Sequence, residues 1–195
     1  MKRNTVNNRV VQFVRKVIIF VRLRAYVNET LLLFEHIEHA YQVSPAKITN
    51  ITHENVTDIL DFRHQKYKSI FEKFLQRGDK GYFAYLNGKC VHNSWVVHSP
   101  QKIHLHPMLL RQLEKGVAFI HYCETAPNAR GQNIFPSVLS KIVDDFKKNS
   151  QRLMISANEK NSSSIKAIQK AGFKEIERYK IIVILGIKYK RCIGK

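Results

Sequence analysis

The strongest constraint on the fold is an apolar strand that leads, through a short polar loop, directly into a helix. Residues 117–125 form an apolar run that predicts a buried strand, and Pro127 ends it. The polar loop 130–133 (Arg-Gly-Gln-Asn) follows. From Ile134 to Lys148 apolar residues recur every three or four positions, which is the spacing of an amphipathic helix. This stretch predicts a sheet with a helix packed across it.

The rest of the chain alternates strands and helices, which predicts one α/β domain with a mixed sheet. The clearest element is a hairpin of strands 82–86 and 90–97 around the turn Asn87-Gly88. The remaining expectations are strands at 30–37, 47–52, 152–157, 173–178 and 180–187, helices at 54–63, 65–77 and 162–171, and an irregular or partly helical stretch at 100–116.

The loop before Ile134 has a composition that suits a pyrophosphate. Consecutive backbone N–H groups and the N-terminus of a helix attract an anion, and Arg130 adds a positive charge. An ordinary polar turn before a helix would look similar. The interpretation therefore depends on a second motif further along the chain.

That second motif identifies a family resemblance. Residues 127–134 match P-x-x-R-G-x-x-I, and residues 161–173 match N-x-x-S-I-x-x-I-x-K-x-G-F. The two motifs, in this order and spacing, resemble the GNAT acyltransferase superfamily. The resemblance covers about residues 47–187 and is strongest over 120–175.

The resemblance implies an α/β fold with a mixed, mostly antiparallel sheet of six to seven strands, a splayed central strand pair and about four flanking helices. It implies that acetyl-CoA is the acyl donor and lies in the V-shaped opening between the splayed strands. The positions that match the family's cofactor site are Cys123, Glu124, Thr125, Arg130, Gly131, Gln132, Asn133, Ile134, Phe135, Asn161 and Ser164. Asn161 also suits a helix N-cap, and the two roles are compatible.

Two residues of the loop depart from the family pattern. Asn133 stands where a glycine is usual, and Phe135 replaces a small residue. Asparagine tolerates a positive φ better than other non-glycine residues, so we expect the loop to close. A loop of the form R-G-x-x-I-x-P is similar to that of a branch associated with bacterial surface-polysaccharide synthesis.

The usual catalytic positions of the family are also changed. Ile168 stands where many members have a tyrosine acid, and Ser156 stands where a glutamate base is common. His121 is the first candidate for the general base, because a histidine can accept a proton near neutral pH. The alternative interpretation of His121 is a core histidine that is hydrogen-bonded to a neighbouring residue. Glu124 is the second candidate. A covalent intermediate on Cys123 ranks below direct transfer, because no histidine–carboxylate pair is evident to activate it.

The charge of the chain limits its partners. Lys and Arg number 33 against 15 Asp and Glu, a formal net charge of +18, which predicts anionic partners of some kind. No apolar run is long enough to span a membrane. Specific nucleic-acid binding is not expected, since no recognition motif is present. Three widely spaced cysteines with no CxxC, and histidines with no standard metal spacing, predict a reducing cytoplasm and no metal site.

The sequence also predicts two regions. Residues 1–28 form a basic extension with seven Lys or Arg and no carboxylate, and residues 29–195 form a single acyltransferase domain. Plotted as a helix, residues 9–27 are amphipathic, so they could contact an anionic membrane surface at the inner face. The alternatives are a helix docked on the domain or a strand.

Together these observations predict an acyl-CoA-dependent N-acyltransferase, most simply an N-acetyltransferase. It would transfer acetyl from acetyl-CoA, by direct attack, to the amine of a small acceptor, such as an anionic nucleotide-linked amino sugar. Two alternatives remain open. An acyl carrier protein could replace CoA as the donor, or the chain could be a non-catalytic membrane- or nucleic-acid-binding module on the same fold.

Overall fold

The computed structural model describes residues 26–38, 40–98, 100–147 and 152–194. The strands are β1 (Tyr26–His36), β2 (Lys47–Ile51), β3 (Lys80–Leu86), β4 (Lys89–Val97), β5 (Lys102–His106), β6 (Leu109–Gln112), β7 (Val117–Thr125), β8 (Arg152–Asn158), β9 (Phe173–Ile184) and β10 (Ile187–Gly194). The helices are α1 (Lys66–Gln76), α2 (Ile134–Lys147) and α3 (Ser162–Lys170), with 3-10 turns at Val56–Asp61 and Pro127–Ala129.

Eight strands form one mixed sheet in the order β10-β9-β1-β8-β7-β4-β3-β2. Only the central pair, β7 and β8, is parallel. All other neighbours in the sheet are antiparallel. The parallel pair therefore divides the sheet into two antiparallel halves of four strands each.

Both faces of the sheet are covered. Helices α2 and α3 pack on one face, where α2 contributes a buried stripe that includes Val138, Ile142 and Phe146. On the opposite face, α1 packs over β3 and β4 through Phe71 against Trp95, and the β5–β6 hairpin covers the centre. The alternating apolar pattern of the strands supplies both cores.

Three sequence predictions about the elements were wrong. Residues 100–116 were expected to be irregular or partly helical, but they contain the β5–β6 hairpin, in which Ile103, Leu105 and Leu109 are buried. The helix expected at 54–63 is only a 3-10 turn at Val56–Asp61. The main sheet has eight strands rather than six or seven: the two strands expected at 173–178 and 180–187 form one strand, β9, which ends at Ile184 and turns into the additional edge strand β10.

The extension predicted at 1–28 lies largely outside the described residues. Strand β1 begins at Tyr26, so residues 26–28 belong to the sheet. The amphipathic helix and membrane contact expected over 9–27 stay predictions. Among the described residues, no helix combines the length and the apolar character needed to cross a bilayer.

Candidate active site

The centre of the sheet opens where β7 and β8 separate. Their parallel ladder includes only Val117–Ile120 on β7, although that strand continues to Thr125. The pairing of β7 with β4 is displaced at this point, because Ser94 alone stands opposite both Tyr122 and Cys123. Tyr122 adopts φ of 53°, so the bulge bends β7 away from β8. A V-shaped opening results, as the resemblance implied.

One cavity of about 550 Å³ lies between this opening and the first turns of α2 and α3. Arg130, Lys166 and the N-termini of both helices line it, and the first turn of neither helix carries an acidic residue. Glu124 also lines the cavity, but its carboxylate is ion-paired with Arg63 and Arg130. The first N–H groups of a helix have no partner within the helix and carry partial positive charge. The cavity is therefore suited to a polyanion.

Asn133 holds the loop at the mouth of this cavity. Its φ is 59°, the positive value expected where the family has glycine. Its Nδ2 donates to the carbonyl oxygen of Val43 at 2.7 Å, and its Oδ1 accepts from Nζ of Lys170 at 2.8 Å. The neighbouring Gly131 has φ of 81°. These two left-handed residues turn the backbone so that successive N–H groups can converge on an anion.

Of the residues predicted to bind the cofactor, all except Gln132 line this cavity. Asn161 is the N-cap of α3, and its Oδ1 accepts from the backbone N–H of Ser164 at 3.2 Å. Phe135 stacks on His92, a fully buried histidine whose pKa is lowered to about 3 by burial. His92 is therefore neutral and structural. The contact of these residues with a cofactor stays a prediction.

A second cavity, of about 480 Å³, adjoins the first. The residues that line both cavities are Cys123, Phe135, Asn161 and Ser164. Arg77, Lys102, His104 and His121 supply its basic side chains, and no Asp or Glu of the described residues lines it. The β5–β6 hairpin that sequence reasoning missed forms one wall.

His121 lies in this second cavity beside a buried carboxylate. Its Nε2 is 3.6 Å from Oδ2 of Asp79, just beyond ordinary hydrogen-bond distance, and the Asp79 side chain is 1% exposed. Arg77 donates to the same carboxylate. Its Nε lies 3.0 Å from Oδ1 and 3.1 Å from Oδ2 of Asp79, and its Nη2 donates to Oδ2. Burial would raise the pKa of Asp79, but His121 and Arg77 outweigh it and hold the pKa below its ordinary value. Asp79 is therefore ionised.

The environment of His121 keeps the imidazole neutral. Burial lowers its pKa, and Asp79 offsets this only in part. The ring packs edge-on against Phe74, with 5.0 Å between ring centroids. If Nε2 carries the proton and points it at Asp79, the lone pair of Nδ1 is left to accept a proton. Sequence reasoning proposed His121 but missed Asp79 and Arg77, because residues 77–80 look like an ordinary polar turn after a helix.

The other catalytic candidates have different surroundings. Both oxygens of Glu124 form ion pairs, Oε2 with Arg63 at 3.2 Å and Oε1 with Arg130 at 3.3 Å. Burial raises the pKa of the Cys123 thiol to about 12, so it is not a thiolate near neutral pH. The geometry gives His121, rather than these two, the features of a base.

The positions where the family usually has its catalytic pair also face the second cavity. Ser156 donates its hydroxyl to the carbonyl oxygen of Leu105 at 3.4 Å, and Ile168 is buried. Neither can exchange a proton as a carboxylate or phenol would. Within the described part of the chain, no group of His, Cys, Asp and Glu is arranged to hold a metal ion.

Comparison with solved structures identifies the fold. A GNAT-family acetyltransferase from Colwellia psychrerythraea superposes with a TM-score of 0.59 at 15% identity, over 81% of this chain and 56% of that protein. The aminoglycoside 6′-N-acetyltransferase AAC(6')-Ih from Acinetobacter baumannii gives 0.50 at 15% identity, over 67% of this chain and 91% of the other. AAC(6')-Iy in complex with the bisubstrate analog CoA-S-monomethyl-acetylneamine gives a TM-score of 0.53 at 15% identity, over 68% of this chain and 92% of that protein.

The chain therefore has the fold of the GNAT acetyltransferases, as its motifs implied. It spans little more than half of the length of the Colwellia protein. No protein-family model matches the sequence, and no curated protein matches it significantly. The likeness is thus one of fold.

Proposed function

We propose that this protein is an acyl-CoA-dependent N-acyltransferase that transfers acetyl from acetyl-CoA to the amine of a small acceptor. One observation carries the proposal. The opening between β7 and β8 joins a cavity lined by two helix N-termini to a second cavity lined by His121, whose ring lies beside the buried carboxylate of Asp79. A site for a phosphorylated donor thus adjoins a site with a neutral base.

The residues present fit acetyl-CoA. Gly131 has open space around its Cβ position, so the loop leaves room for a phosphate close to the backbone. Arg130 and the first N–H groups of α2 would hold the pyrophosphate, while the free edge of residues 123–125 would pair with the pantetheine arm. When bound, acetyl-CoA supplies an activated acyl group whose thiol leaves readily.

The chain's own residues would then act on the acceptor. Nδ1 of His121 would accept the proton that the amine must lose, directly or through one water. Asp79 would hold the ring and stabilise the imidazolium. Backbone N–H groups of β7 beyond Ile120, which no longer pair with β8, would polarise the acyl oxygen. Orientation of the two reactants supplies much of the remaining rate.

The donor site has a direct test. We expect the protein to bind acetyl-CoA with micromolar affinity in isothermal titration, and Arg130→Glu to weaken binding by roughly 10- to 100-fold, because a charge-assisted contact contributes about 1.5–3 kcal/mol. Arg191→Glu is the matched control, since Arg191 is exposed on β10 and lines neither cavity. Equal losses of acetyl-CoA affinity in both variants, or no binding of acetyl-CoA by the wild type, would contradict the placement of the donor site at Arg130. Binding of an acyl carrier protein but not of CoA would favour the other donor.

The acceptor side favours an anionic amine. Lys102 lines the second cavity together with Arg77, whose charge is shared with the buried Asp79, and the described lining contains no carboxylate to attract a polycation. We expect kcat/KM for glucosamine 6-phosphate or a nucleotide-linked amino sugar to exceed that for an aminoglycoside by about tenfold or more. Lys102→Glu should narrow this ratio by raising KM for the anionic acceptor. A preference for the aminoglycoside would refute the assignment.

The proposal places this reaction in the cytoplasm. Cys90, Cys123 and Cys192 are all free thiols, which suits a reducing compartment.

A further inference from the structure

The hairpin formed by β9 and β10 is an exposed apolar projection at the edge of the sheet. Every residue of β10 is exposed. The tip is the most accessible part, with Leu185 83% and Ile187 77% exposed, and Ile184 and Tyr189 are each about half exposed. Large apolar side chains clustered in this way mark an interaction surface rather than ordinary surface variation.

The register of the strands arranges these side chains in rows. Ile187 pairs with Ile184, which pairs with Tyr26 on β1, so these three form one row across the sheet. Two rows further from the tip, the same face of the sheet carries Arg191, Lys180 and Thr30. The buried residues of β9 at this end, Ile181 and Val183, point to the opposite face. The exposed face is thus apolar at the tip and cationic further in.

The charge of this region has one sign. Residues 178–195 contain six Lys or Arg and no Asp or Glu. Within the described residues, no carboxylate forms an ion pair with Lys180, Lys188, Lys190 or Arg191. The basic segment 1–25, with seven Lys or Arg, joins the sheet at Tyr26, beside the hairpin tip. The apolar tip is therefore flanked by cations on its own hairpin, and the nearby carboxylate of Glu29 on β1 is paired with Nε2 of His106 at 2.9 Å.

We propose that the β9–β10 hairpin docks on the surface of an anionic phospholipid bilayer, with Leu185 and Ile187 inserted and the lysines and arginines at the level of the phosphates. The spacing of residues along β9 agrees with the depth of such a membrane contact. Lys180 lies four residue steps from Ile184 along β9, about 13 Å at 3.3 Å per residue. Interfacial apolar groups enter roughly 5–10 Å, which leaves the cationic row near the headgroups.

Charge favours a lipid surface over a second copy of this chain. Two β10 edges pairing antiparallel would gather Lys188, Lys190 and Arg191 of both copies along one seam, and in some registers, such as Lys188 opposite Arg191, cations would face each other directly. Like charges directly opposite each other destabilise a strand pair. An anionic bilayer instead neutralises the cations while it accepts the apolar tip.

Co-sedimentation of the full-length protein with vesicles tests the proposal. We expect binding to equimolar phosphatidylcholine–phosphatidylglycerol vesicles to exceed binding to pure phosphatidylcholine by about tenfold or more, and to weaken in high salt. The double variant Leu185→Asp/Ile187→Asp should lose about tenfold or more in affinity, with an unchanged melting temperature because both side chains are exposed. Leu60→Asp is the control, since Leu60 is another exposed leucine, on the 3-10 turn far along the chain from the hairpin.

Three results would overturn the proposal. The first is equal or no binding of the wild type to the two vesicle types. The second is undiminished binding by the double variant, which would assign the contact to another basic part of the chain. The third is a wild-type dimer in sedimentation velocity that the double variant converts to a monomer, which would make the hairpin a subunit interface. Loss of vesicle binding in the double variant but not in Leu60→Asp supports docking, whatever the outcome for the acyltransferase activity.

Discussion

His121→Ala is expected to lower kcat by about 10²- to 10⁴-fold while the affinity for CoA stays within about twofold of the wild type. The reason is that His121 lines the second cavity and not the first, so its loss removes the proton acceptor and leaves the donor site intact. Steady-state kinetics and titration with CoA on the same preparation measure both quantities. A variant with undiminished kcat would exclude His121 as the base.

The pH profile gives an independent readout of the same group. His121 must be neutral to accept a proton, so kcat/KM should fall as the pH drops through its pKa, which burial places below the ordinary value. Asp79→Asn removes the charge that raises this pKa, so the acid limb should move to lower pH while kcat also falls. A histidine that is only structural would leave the acid limb where it is. In the proposed mechanism Asp79 is therefore a positioning residue.

Gly172→Ala is expected to lower the free energy of unfolding by about 3–5 kcal/mol. Gly172 has φ of 85°, and an added Cβ would lie 1.8 Å from the backbone oxygen of Glu38. Its own carbonyl accepts from the N–H groups of Ile37 and Glu38, both at 3.2 Å, so the backbone cannot move away without losing these bonds. Thermal unfolding should show a melting temperature lower by roughly 10 °C.

Gly116→Ala is the matched control for this effect. Gly116 has φ of 81°, but an added Cβ would meet nothing within 4 Å. We therefore expect only the cost of the left-handed conformation, about 1–2 kcal/mol. Similar losses in the two variants would show that backbone strain, and not the contact between Gly172 and Glu38, limits stability at the end of α3.

Local sequence determined the elements that line the first cavity. The strand 117–125 has the bounds that its apolar run predicted, and Asn161 caps α3 because its side chain reaches only three residues along the chain. Asn133 adopts the positive φ that its residue type allows. The Asn87-Gly88 turn, with φ of 50° and 76°, closes the hairpin that its spacing predicted. Each of these features could be predicted from residue types and spacings within a few positions of the chain, although distant contacts also hold Asn133 and the strand in place.

The tertiary structure alone decided the chemistry of the second cavity and the shape of the sheet edge. Asp79 and His121 are 42 positions apart in the sequence, and only the pairing of β3, β4 and β7 brings them within 3.6 Å. The β5–β6 hairpin and the exposed rows of β10 depend in the same way on strands distant in the chain. A sequence records residue types and short spacings. Burial, registers across strands and the pKa of a side chain arise when remote segments exclude water from one another.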